Sequence, residues 1–122
     1  MRILIADDDR QMSELCCAIV RDAGHTPIPS FDGASALMAA MRAPQPDLII
    51  LDLKMRAGTG QTTLGKLKAS SRTTMIPVII VAAMKDQARQ DEVKALGATA
   101  FLEMPITPAT LVAAIEARGP KG

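Results

Sequence analysis

Short, branched apolar runs alternate along this chain with longer stretches whose apolar residues fall at helical spacing. "RILIA" (2–6) is apolar after its first residue and is followed at once by acids, as suits a strand buried on both faces. In "RQMSELCCAIVRDAG" the residues Met12, Leu15, Cys16, Ile19 and Val20 lie at helical spacing; Asp9 is placed to cap that helix and Gly24 to end it. "TPIP" (26–29) predicts a weak edge strand, demoted by its prolines, and "DGASALMAAMRA" (32–43) a helix that stops before Pro44. "DLIILDL" (47–53) is a second buried strand, "RAGTG" (56–60) a loop, and "TTLGKLKAS" (62–70) a helix that Gly65 weakens by about 1 kcal/mol relative to Ala. "PVIIVAA" (77–83) is a third buried strand. Asp86 caps "QARQDEVKAL" (87–96), which Gly97 ends, and "TAFLEM" (99–104) is a last strand. Thr107 caps a final helix with Pro108 in its first position, "PATLVAAIEA" (108–117), and "RGPKG" reads as a frayed end or the start of a linker.

Strand and helix thus alternate, which predicts a parallel sheet covered by helices on both faces. With no repeat, low-complexity tract or internal linker, residues 1–122 read as one α/β domain.

Composition narrows the function classes. A hydrophobic share of 48% supports a real core, and a formal net charge of +1 provides no field to draw the chain to nucleic acid or anionic lipid. There is no Trp or Tyr and there are only 2 Phe, so no platform exists for stacking bases; direct nucleic-acid binding is not expected. No apolar run approaches the about 20 residues of a membrane span, and "MRILIADDDR" turns acidic too soon for a signal peptide, so a cytoplasmic protein is expected. Cys16 and Cys17 are adjacent on a helix, point to different faces and read as packing residues. His25 reads as an exposed residue at the entry of a strand.

The candidate chemistry lies in the acids. In parallel α/β sheets, ligands sit beyond the carboxyl ends of the strands where strand order reverses. Asp7 and Asp8 follow the first strand, and Asp52 ends the third. If those strands are neighbours, three carboxylates meet on one rim and raise each other's pKa. A hard divalent cation such as Mg²⁺ would relieve this, because it takes oxygen ligands and needs few carboxylates. Asp9 has a separate task as helix cap.

"ILIADDD", "PDLIILDLKM", "IPVIIVAA" and "GATAFLEMPIT", in this order and spacing, resemble the receiver domain of two-component response regulators over about residues 2 to 118. The resemblance implies a flavodoxin-like (βα)5 sandwich with strand order 2-1-3-4-5. It implies Asp52 as phosphoacceptor, charged by a histidine kinase or a small phosphodonor, in a domain that is not an enzyme in its own right. It further implies Asp8, Asp52 and the backbone carbonyl of Lys54 as direct Mg²⁺ ligands, with Asp7 acting mainly through water. Phe101 matches the aromatic that switches between outward and inward rotamers. The face of the fourth helix, fifth strand and fifth helix, which carries Arg89, Glu92, Lys94, Glu103 and Glu116, matches the surface that meets an output domain or effector protein.

Two departures stand out. Ala82 occupies the place of the family's Ser or Thr at the end of the fourth strand, and Met104 that of the Lys before the late proline. Arg56 replaces a frequent Pro, and Thr59 and Gly60 replace a frequent Asp-Gly. Lys54, Arg56 and Lys85 are candidate substitute cations, and Met84 and Met104 are packing residues or adaptable contacts. Two readings follow: a receiver with weakened phosphotransfer and switching, or a pseudo-receiver that binds a partner irrespective of phosphate. A third, a Mg²⁺-dependent phosphohydrolase using Asp52, lacks a second acid at i+2 and a supporting lysine.

Overall fold

The all-apolar runs form the centre of a parallel sheet because only a strand covered on both faces gains by being apolar on both. The computed structural model describes residues 1–55, 60–82 and 87–118. The expectations for Arg56, Thr59, Met84, Lys85 and Asp86 fall outside these residues. Ten elements alternate: β1 (Arg2–Ala6), α1 (Arg10–Asp22), β2 (Thr26–Ser30), α2 (Gly33–Met41), β3 (Leu48–Asp52), α3 (Gly60–Ala69), β4 (Val78–Ala82), α4 (Gln87–Ala95), β5 (Ala100–Glu103) and α5 (Pro108–Arg118). The strands run parallel in the order β2-β1-β3-β4-β5, the flavodoxin-like order that the resemblance implies.

Alternation along each strand divides the core into two layers. Ile3, Ile5, Leu48, Ile50, Ile79 and Val81 join Cys16, Ile19, Val20, Leu111 and Ile115 beneath α1 and α5. Leu4, Ala6, Ile49, Leu51, Ile80 and Ala82 join Ala36, Ala40, Leu64, Leu67 and Val93 beneath α2, α3 and α4. Each fully buried Leu or Ile contributes roughly 1.5–3 kcal/mol, more than a typical net hydrogen bond, so strand phase is set by this partition.

The β2 edge shows why prolines are tolerated there. Thr26 N–H donates to the Met1 carbonyl at 2.9 Å, and Asp7 N–H donates to the Ser30 carbonyl at 3.0 Å. Thr26, Ile28 and Ser30 therefore turn their backbone groups toward β1, and positions 27 and 29 face away from it. Both are prolines, so the free edge offers no N–H there to an incoming strand.

Several boundaries and faces differ from the sequence reading. Helix α2 ends at Met41, and α5 extends to Arg118. Leu15 is 46% exposed, while Ser13 and Cys17 are buried in its stead. The apolar stripe of α1 is thus rotated from the one its hydrophobic residues suggest, because small side chains let the helix lie close to the sheet. His25 is half-buried rather than exposed; its Nδ1 lies 3.0 Å from the terminal amino group of Met1.

Helix α3 begins at Gly60, two residues earlier than its hydrophobic pattern suggests. Gly60 N–H donates to the Leu53 carbonyl at 3.0 Å. A Cβ on Gly60 would lie 2.6 Å from Leu53 Cα and closer still to the Asp52 carbonyl oxygen. Gly60→Ala is expected to cost about 1–3 kcal/mol through overpacking, read as a lower urea midpoint at unchanged slope. An unchanged midpoint would mean that this corner yields without cost.

Candidate acidic site at the carboxyl ends of β1 and β3

The three consecutive acids after β1 have separate roles. Asp7 is buried where the chain leaves the sheet, and its Oδ1 accepts the Asp9 N–H at 2.9 Å. Asp9 is exposed and caps α1, its Oδ1 accepting from Gln11 N–H at 3.0 Å and Met12 N–H at 3.3 Å. Asp8 is half-buried between them. On the neighbouring strand, Asp52 Oδ1 accepts the Lys54 N–H at 3.3 Å.

Register brings the two groups together. Ala6 pairs with Leu51, so β1 and β3 end at one height, where the order β2-β1-β3 reverses direction. One carboxylate oxygen from each of Asp7, Asp8 and Asp52 lies within 4.8 Å of the others. They open into a cleft of about 230 Å³ whose walls include Lys54, Val81 and Met104. Three hard oxygen donors converging on one cleft fit a hard divalent cation.

Burial dominates the electrostatics. It pushes the Asp7 carboxyl up to about 7, and the Asp52 charge adds to the effect; the Asp9 N–H opposes it. The Asp52 carboxyl is also raised, mainly by burial, with the Lys54 N–H and a hydrogen bond from Asp7 partly offsetting it. The two carboxyls interact and titrate as a pair, both pushed upward by burial. Burial, then the Asp7 charge, pushes the Cys16 thiol up to about 12, so it is a packing residue and a poor nucleophile.

The other sequence-predicted positions are distributed as follows. The Lys54 side chain is exposed at the cleft, and its charge lowers the Asp52 pKa; it is the one candidate substitute cation among the described residues. Met104 is half-buried, packs on the α1–α5 layer and lines the cleft. Ala82 is 1% exposed and belongs to the other layer, against which the half-buried Phe101 also packs. Val81, paired with Asp52, forms the β4 wall of the cleft instead. The sequence reading did not single out Val81 or Met12, which also lines the cleft. An apolar residue that faces an acidic cleft resembles any core residue until its strand's phase is known.

Fold and site together define a doubly wound α/β domain with an acidic cleft at its topological switch point. A model of the response regulator receiver domain matches residues 3–116, and the chain belongs to that family, the receivers of two-component signalling. It is 34% identical over 118 residues to the phosphate regulon transcriptional regulatory protein PhoB of Escherichia coli, covering 95% of this chain and 50% of that protein. The DNA-binding response regulator MtrA of Mycobacterium tuberculosis is 34% identical over 119 residues, covering 96% and 50%. The chain thus spans half the length of these curated relatives. The chemotaxis protein CheY4 of Vibrio cholerae superposes with a TM-score of 0.90 at 27% identity, covering 97% of this chain and 98% of that one. Receiver domains typically bind Mg²⁺ at an acidic pocket and interact with histidine kinases or phosphodonors. No helix among the described residues is long and apolar enough to cross a membrane.

Proposed function

We propose that this receiver accepts a phosphoryl group on Asp52 from a histidine kinase or a small phosphodonor, with transfer and switching weakened by Met104 and Ala82. The observation that carries this reading is the convergence of Asp7, Asp8 and Asp52 within 4.8 Å at the ends of β1 and β3. Asp8, Asp52 and the backbone carbonyl of Lys54 would hold Mg²⁺, with Asp7 acting through water. Such an ion would supply positive charge to offset that of the carboxylates and of the incoming phosphoryl oxygens.

In the reaction, an Asp52 carboxylate oxygen forms a bond to phosphorus as the donor's bond to phosphorus breaks. The leaving group, acetate when acetyl phosphate is the donor, departs with the electron pair of that bond. No ammonium is supplied by position 104, and Ala82 has no hydroxyl to bond the new phosphoryl oxygens. The half-buried Phe101 therefore receives no pull from the end of β4. An output domain or effector would meet the face of α4, β5 and α5.

Intact mass after incubation with acetyl phosphate and Mg²⁺ tests the reading. The expected result is one phosphoryl adduct, absent in Asp52→Asn. No adduct at any donor concentration would favour the second reading, a phosphorylation-independent pseudo-receiver that serves as a protein-interaction module. That alternative rests on the apolar Met104 side chain at the cleft wall.

A further inference from the structure

Helix α4 is lightly held. Its sequence "QARQDEVKA" buries a single side chain, Val93, and Leu96 just beyond it is 37% exposed. An element with so little buried apolar area lies at the low-stability end of the fold, where one polar contact has a measurable share in its position.

One such contact reaches α4 from the neighbourhood of Asp52. Gln61 Nε2 donates to Glu92 Oε2 at 2.7 Å, joining the second residue of α3 to α4. A short bond from an amide to a carboxylate is stronger than one between neutral groups. Its α3 end is fixed to the acidic site. The preceding Gly60 donates to the Leu53 carbonyl at 3.0 Å and lies so close to the Asp52 carbonyl that not even a Cβ fits between them. The backbone at Asp52 cannot shift without moving the first turn of α3. A bond of 2.7 Å passes out of hydrogen-bond range after a displacement of roughly 1 Å.

We infer that Gln61 is a positioning residue: its bond to Glu92 holds α4 against α3 in the resting protein and conveys rearrangement at the β3–α3 corner to α4. This route needs no hydroxyl at the end of β4, where Ala82 provides none. Its second half rests on phosphorylation of Asp52, which replaces one negative charge with about two and redraws the bonds around it.

Hydrogen exchange of the α4 amides, with intact mass recorded on the same samples, tests the inference in the whole chain. Without phosphodonor, Gln61→Leu is expected to speed α4 exchange about two- to tenfold and leave the core amides of β1 and β3 unchanged. Glu92→Gln, which retains an acceptor for the same amide, should fall between the parent and Gln61→Leu. With acetyl phosphate and Mg²⁺, the parent's α4 exchange should rise toward that of Gln61→Leu, whose own rate should hardly change. Parental α4 exchange in resting Gln61→Leu would overturn the tether. A full phosphate-dependent rise in Gln61→Leu, with the adduct present, would overturn the relay. Absence of the adduct in the parent would overturn both the phosphoacceptor reading and the relay, with the tether still decided by the resting samples.

Discussion

Met104→Lys is expected to speed phosphorylation by acetyl phosphate about ten- to a hundredfold, the largest gain in rate that a single substitution should give here. Met104 lines the cleft that holds Asp7, Asp8 and Asp52, and its unbranched side chain is close in length to that of lysine. The substitution therefore brings an ammonium to a wall that is now apolar without demanding new volume. A hydrogen bond to a charged group is worth about 1.5–3 kcal/mol, and each factor of ten in rate needs about 1.4 kcal/mol. The gain should appear in the rate of adduct formation at saturating Mg²⁺. A rate within twofold of the parent would show that the missing cation does not limit transfer, leaving Ala82 as the significant departure.

Asp7→Asn should stabilise the metal-free protein at pH 8 by about 2–3 kcal/mol. The sign follows from linkage. Burial pushes the Asp7 carboxyl from its ordinary 3.8 up to about 7 in the folded chain, so between these limits the native state holds a proton that the unfolded state has lost. Stability from this group is therefore greatest at low pH and is lost as pH rises through 7. Each unit of the difference corresponds to about 1.4 kcal/mol, reduced here because the cleft opens to water. An asparagine keeps an acceptor for the Asp9 N–H and a donor for Asp52 while removing the charge. Urea melts at pH 8 and pH 5 check this: the advantage of Asp7→Asn should be large at the first and much smaller at the second. Mg²⁺ should raise the melting temperature of the parent at pH 8, since it binds the folded state alone, and raise that of Asp7→Asn less. A flat response of the parent across a Mg²⁺ titration would count against a working metal site.

Much of this protein was legible along the chain. Runs such as "LIILD" have no polar face, so they can only be strands covered on both sides, and their alternation with helices leaves few topologies. Acids directly after such runs must lie at the carboxyl edge of the sheet, which is why Asp7, Asp8 and Asp52 could be singled out. Asp9 and Thr107 were readable as caps because capping is local; Thr107 Oγ1 accepts the Thr110 N–H at 3.1 Å as that role requires.

Other features depend on contacts between residues far apart in sequence. The early start of α3 follows from the bond between Gly60 and Leu53, and the exposure of Leu15 from how closely α1 lies on the sheet. That Val81 rather than Ala82 walls the cleft depends on strand phase, and two consecutive small apolar residues carry no mark of which faces which layer. Gln61 and Glu92 look like ordinary surface residues until α3 and α4 lie side by side.

The sequence by itself determined the order of elements, the class of fold and the identity of the acids, because hydrophobic period, caps and strand-end position are properties of neighbouring residues. Only the tertiary structure decided that Asp7, Asp8 and Asp52 converge, that Met104 lines the cleft beside them, and that α3 and α4 are joined through Gln61 and Glu92. Each of these is a distance between elements, and such distances exist only once burial has set the register of the strands and the seating of the helices on them.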